Sequence, residues 1–327
     1  MKHDAWRQDA LGEKPKMTWH DLTTEWLLEK GANGKRSLDD DKDKLRWLNP
    51  HFNNGLMLLE DIDSTFIADV LKAKRAEGNI KTLNDGEKRV KPLANATINR
   101  YAALIHSMMA LAHGKGWIST VPPVQKLKEI KERVSYLTPE QAVALLRELP
   151  EHLSVMARFA LATGLRQDNV VQLQWANVDI DRKVAWAWSD EMKGKADHSI
   201  PLNQDALDVL KAQLEKRKNK CLYVFADGEG RPYGYPAGRS WKSALKRTGI
   251  PEGFRWHDLR HTWATWHIMN ETPVEVLMKL GGWKSLAMVL KYAHLGQSHL
   301  ASHASNISLP PITREASDTF TSQQIAC

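Results

Sequence analysis

The chain has 327 residues, a formal net charge of +7, 42% hydrophobic and 26% charged residues. This is ordinary for a soluble globular protein with room for two domains, and the positive charge favours a polyanionic partner without separating DNA, RNA and acidic lipid. Two cysteines exclude a disulfide framework and zinc-type spacing, and no run approaches the eighteen apolar residues of a membrane span.

The charged start, MKHDAWRQDALGEKPK, lacks the apolar run of a signal peptide, so a cytoplasmic protein with no membrane partner is expected. Residues 1–17 read as an arm or linker remnant. Residues 18–120 read as an all-helical domain. Thr18 opens a helical pattern with Trp19, Leu22, Trp26 and Leu27 on one face and Gly31 as its stop. SLDDDKDKLRWLNPHF follows with acids first and bases later, matching the helix dipole. A third helix turns Phe66, Ile67, Val70 and Leu71 inward, and ATINRYAALIHSMMALAHGKGWI gives a long fourth helix ended by Gly114 and Gly116.

Residues 121–136, with Pro122 and Pro123 and a lysine-rich stretch, read as a basic solvated linker. Residues 137–304 form the second domain. It opens with Thr138 as N-cap, Pro139 in the first turn and Gln141 completing a capping box, with Val143, Leu145, Leu146 and Leu149 as the buried stripe. The next helix ends at Gly164 and delivers Arg166. KVAWAWS alternates as a strand, MKGKADHSIPL turns and returns as a second strand with Lys193 near the tip, and CLYVFA is short and β-like. From Tyr235 to about Leu300 the pattern is helical, broken at Gly249–Gly253 and Gly281–Gly282. Residues 305–327 are a Ser/Thr-rich tail. The expected fold class is mainly α (α+β): a helical first domain and a mostly helical second one with a small antiparallel sheet.

Within 255–295, His257 and Arg260 share a helical face, Trp283 follows a Gly-Gly turn and Tyr292 comes nine residues later. Cutting a phosphodiester needs a nucleophile, cations on the nonbridging oxygens, an acid for the leaving oxygen and in-line placement. Tyr292 can attack phosphorus, given nearby positive charge to lower its pKa. Arg166 and Arg260 can supply two planar forks, Lys193 an acid, His257 a proton acceptor, and Trp283 an indole donor and a buttressing ring. Each alone reads as an ordinary core, cap or turn residue. HDLRH also sets His257 and His261 at i and i+4, as in some zinc sites, but Asp258 stands where a metalloprotease needs Glu and no third ligand is evident.

In order, ATGLRQDNV, MKGKADHSIPL, HDLRHTWATW, LGGWKS and MVLKYAHL resemble the motifs of the tyrosine recombinase (phage integrase) family. Motif by motif, Arg166 matches the first arginine, Lys193 the hairpin lysine, and His257 and Arg260 the histidine–arginine pair. Trp283 matches a histidine-or-tryptophan position and Tyr292 the nucleophile. The segment 96–118 resembles the last long helices of the family's core-binding domain, and Thr97, Asn99 and Arg100 are its candidate DNA-binding residues. The resemblance implies a clamp on double-stranded DNA, a 3′-phosphotyrosyl intermediate, a homotetramer on two DNA sites and no cofactor or metal. DNA-bending accessory proteins are further candidate partners. Family members commonly carry an acid three positions after the first arginine, where this chain has Asn169, with Asp168 one place earlier. Residues 1–17 are too short for the arm-site-binding domain of many phage integrases. The expected function is site-specific recombination that integrates or excises a phage or other mobile element. The rivals are type IB topoisomerase-like strand relaxation and a catalytically impaired DNA-binding protein of the same fold.

Overall fold

Thr18 does what a threonine before an amphipathic run should do. Its hydroxyl accepts from Asp21 N while the Asp21 carboxylate accepts from Thr18 N at 2.9 Å, closing a capping box on α1 (Trp19–Ala32). In the computed structural model, residues 16–82, 88–129, 134–187, 198–217, 221–234, 238–293 and 307 are described. The chain divides into two compact units, Met1–Glu132 and Arg133–Cys327.

In the first unit, Trp19, Leu22 and Trp26 of α1 are buried, and Trp19 stacks on Phe52 with centroids 3.8 Å apart. Helix α2 (Leu38–Leu48) is fixed to α1 through Asp41, whose buried carboxylate accepts from the Trp26 indole at 3.1 Å and from Lys35. Asp63 caps α3 (Ser64–Glu77). The long α4 (Asn95–Gly114) buries Ile98, Ile105, Met108 and Met109 in the shared core.

Two expectations for this unit are corrected. It is not all-helical: β1 (Asn79–Thr82) and β2 (Lys88–Lys91) pair antiparallel, with Ile80 opposite Val90. Val90 is 53% exposed. The stretch expected as a solvated linker is in part packed, with Val121, Val124 and Leu127 lying against the first core.

The second unit begins with α5 (Pro139–Glu148), capped by Thr138 and Gln141 as expected. Its buried stripe is Ala142, Leu145 and Leu149, whereas Val143 is 48% exposed. Next come α6 (Glu151–Thr163), ended by Gly164 in the left-handed region, and the short α7 (Gln167–Val171). The sheet has three antiparallel strands, β3 (Val178–Asp179), β4 (Val184–Ala187) and β5 (His198–Pro201), the two-residue β3 being unforeseen. On β4 it is Ala185 and Ala187 that face the core. CLYVFA is no strand; Tyr223 and Ala226 make only single bridges, to Gln174 and Pro232.

Helices α8 (Gln204–Glu215), α9 (Arg239–Thr248), α10 (Asp258–Met269), α11 (Val274–Leu280) and α12 (Ala287–Ala293) complete the unit. The break at 270–273 between α10 and α11 adds to the two expected, with Pro273 ending it. A small second cluster, Trp263, Ile268, Leu277, Trp283, Val289 and Tyr292, joins the last three helices. Among the described residues no helix is long and apolar enough to cross a membrane.

Candidate active site

Arg260 is the centre of the site. It sits on the first turn of α10, 6% exposed, with one guanidinium nitrogen donating to Gly164 O at 2.6 Å and another to Gly281 O. Both acceptors are loop carbonyls at helix C-termini, where unpaired carbonyls concentrate negative potential. No carboxylate among the described residues forms an ion pair with it. The Trp283 ring lies beneath the guanidinium, 4.4 Å from centroid to Cζ. Burial first, then the charge of Arg166, lowers the Arg260 pKa to about 10, so it remains cationic at neutral pH.

The two carbonyl loops are held by close packing. A Cβ on Gly164 would come 2.3 Å from the Trp263 ring, and one on Gly281 2.3 Å from the Trp283 ring. On the sheet side, the His198 ring bonds Leu280 O at 2.9 Å and so ties β5 to the turn after α11.

Arg166, half-buried at the N-cap of α7, reaches both Arg260 and His257 electrostatically. Asp168 is exposed and makes no ion pair with Arg166; Asn169 is half-buried. His257 lies on the solvent side, at the N-cap of α10. Desolvation of its inner side, then the Arg260 charge, lowers its pKa, so it is neutral at physiological pH. Asp258 beside it is 1% exposed and accepts from Arg255 N at 2.7 Å, bracing the start of α10.

Tyr292 is 1% exposed, with its ring 5.9 Å from that of Trp283. The expectation that positive charge lowers its pKa is corrected. Burial raises it well above the usual phenol value, outweighing the opposing effect of Arg260, and Asp258 adds to the rise. At rest the side chain is a phenol. Its hydroxyl lies 2.6 Å from Nδ1 of His261, a residue the sequence flagged only as a partner for zinc. The i, i+4 spacing from His257 was the available signal. Among the described residues no group of three or more His, Cys, Asp or Glu side chains is placed to hold a metal.

The structure thus brings together Arg166, His257, Arg260, Trp283 and Tyr292. Lys193 lies outside the described residues. In the first unit, Thr97 is half-buried and Arg100 exposed, but Asn99 is 9% exposed and its amide is occupied. It donates to Leu127 O and Glu129 and accepts from Leu127 N at 2.8 Å, so it ties down the segment after Pro123.

Residues 135–299 match the model of the phage integrase family. The chain is 36% identical to the integrase of Salmonella phage P22 over 94% of its own length and 84% of that protein. It is 24% identical to a tyrosine recombinase of Thermosipho africanus, over 69% of this chain and 81% of that one. Among solved structures, the Tn1549 transposon integrase in complex with a circular intermediate DNA superposes with a TM-score of 0.73 at 18% identity, covering 89% of this chain and all of that one. A lambda integrase tetramer bound to a Holliday junction gives 0.65 at 18% identity, over 89% and 84%. These two likenesses establish the fold, and the P22 relative and the family match establish the kinship. The chain belongs to the phage integrase family of tyrosine recombinases.

Proposed function

We propose that the chain is a site-specific DNA recombinase that cuts and rejoins strands through a 3′-phosphotyrosyl ester on Tyr292, integrating or excising a phage or other mobile element. Arg260 carries the reading. A buried guanidinium held by neutral carbonyls, beside a second arginine and with no acidic partner among the described residues, carries positive charge that burial leaves under-compensated and that an anion would neutralise. A scissile phosphodiester fits, with Arg166 and Arg260 on its nonbridging oxygens and Tyr292 next to them.

Trp283 buttresses Arg260 and the Tyr292 ring, and Lys193 is assigned as the acid for the leaving 5′ oxygen. His257 accepts or returns a proton at the solvent side. The ester stores the energy of the broken bond, so the freed 5′ hydroxyl of another strand can reverse the attack without ATP or metal. Double-stranded DNA is the partner, and a homotetramer on two sites the working assembly, supported by the lambda integrase tetramer on a Holliday junction. DNA-bending proteins are candidate accessories. Strand relaxation alone is not favoured, because the relative at 36% identity is an integrase.

The test is a nicked duplex carrying the junction sequence beside the gene. Wild type traps a covalent adduct and Tyr292→Phe does not. DNA-bound wild-type protein that forms no adduct refutes the proposal, and a native gel showing two sites held together separates recombination from relaxation.

A further inference from the structure

The resting hydroxyl of Tyr292 must lose its proton as oxygen bonds to phosphorus. The base within hydrogen-bond distance is His261 Nδ1, at 2.6 Å, with the two rings 5.6 Å apart. His257, the histidine in the family motif, makes no hydrogen bond to this hydroxyl; its ring stands edge-on to that of His261 at 5.0 Å. A phenol is the stronger donor and a neutral imidazole the stronger acceptor, so the matched arrangement is Oη–H donating to an unprotonated Nδ1.

Building on the recombinase reading, we propose that His261 is a catalytic residue, the base that receives the phenolic proton when Tyr292 attacks. The Oη–P bond forms as the P–O5′ bond breaks. The proton on Oη passes to Nδ1, and the leaving O5′ takes one from the acid assigned to Lys193. Religation runs the same transfers backwards, so neither direction consumes a proton overall.

The electrostatics agree with a neutral base. Burial first, then Lys291 on α12 and His257 at the N-cap of α10, hold the His261 pKa down to about 4, with Asp258 opposing and Arg255 adding to the fall. Lys291 Nζ lies 4.9 Å from the Tyr292 ring centroid, so α12 brings both the nucleophile and the cation to His261. At neutral pH His261 is therefore ready to accept. An incoming phosphodiester adds negative charge beside these cations and raises its basicity when the proton must move.

Full-length protein and the nicked duplex of the preceding test supply the assay, read as single-turnover adduct formation from pH 6 to 8. His261→Phe fills the space without an acceptor, and His261→Asn keeps a hydrogen-bonding group near Nδ1 that takes no proton. Both are expected to bind the duplex like wild type and to cleave about 10²–10⁴-fold more slowly. Their rates should rise about tenfold per pH unit as hydroxide replaces the base, while wild type stays flat. Wild-type speed in either variant, or a pH-flat rate in both, overturns the proposal. A DNA-free measurement guards against misfolded variants. Nitrogen NMR of His261 should show Nδ1 without a proton and a signal that moves in Tyr292→Phe, and a protonated Nδ1 in wild type overturns the proposal. Wild type that forms no adduct refutes the recombinase reading instead, and leaves the NMR result to be judged alone.

Discussion

Replacing Gly164 with alanine tests the packing that sets Arg260 in place. Gly164 has φ +66°, where an L-residue costs about 1–2 kcal/mol. The added Cβ would also meet the Trp263 ring at 2.3 Å, and the ring is buried. It would have to retreat by about 1 Å, and such overpacking costs about 1–3 kcal/mol. The sum is about 2–5 kcal/mol, or a fall in Tm of roughly 5–15 °C for a unit of this size. Gly249 is the internal control. It ends α9 at φ +68° with nothing within 4 Å of a Cβ, so Gly249→Ala carries only the backbone term of about 1–2 kcal/mol. Urea unfolding followed by tryptophan fluorescence compares the two. Equal destabilisation, within about 0.5 kcal/mol, would refute the claim that Trp263 is seated on Gly164. The displaced ring also adjoins Trp283 at 6.0 Å, so Gly164→Ala should slow strand cleavage where Gly249→Ala does not.

Arg260→Ala should abolish most cleavage, by about 10²–10³-fold, and also destabilise the fold by about 1–3 kcal/mol, because it strands two loop carbonyls. A variant that loses cleavage at unchanged Tm would show those bonds to be dispensable. Asn99→Ala should speed proteolysis just after Leu127, since three hydrogen bonds to that segment vanish; unchanged protection there refutes the tie. His261 is unprotonated in the folded chain down to about pH 4 but takes up a proton at its ordinary 6.5 when unfolded. Its contribution is present above pH 6.5 and disappears as pH falls from 6.5 toward 4, because the unfolded state binds more protons there. Allowing for partial exposure, the loss is on the order of 2 kcal/mol, read as the wild-type minus His261→Phe difference in urea unfolding against pH.

What was legible in the sequence was local. The Thr138–Gln141 capping box, the stop at Gly164 and the inward face of α1 depend on residues within a turn or two of each other, and the structure repeats them. The β1–β2 ribbon was missed although the chain carries an Asp85–Gly86 pair between its strands, a recognised hairpin signal. NIKT and KRVK are short and mostly polar or charged, which leaves no apolar alternation to read. Val143 was misplaced by a single position on its helix, because the stripe was chosen by side-chain size and Ala142 was passed over. At the site, motif order identified residue types but not their contacts. Nothing near Tyr292 in sequence announces His261, 31 positions earlier, nor does the local charge reveal that burial would outweigh it. The contacts of Asn99 were hidden for a similar reason, its partners lying 28 and 30 residues away.

The partners of Arg260 are main-chain oxygens, and this governs which mutations can damage the site. Every residue type carries a carbonyl, so no exchange of side-chain chemistry at positions 164 or 281 can delete an acceptor in the way that mutating an aspartate would. Only a change in the path of the backbone can do so. Inactivating substitutions in the two loops should therefore follow size and backbone preference rather than polarity, and a saturation screen there would sort variants by shape instead of by charge.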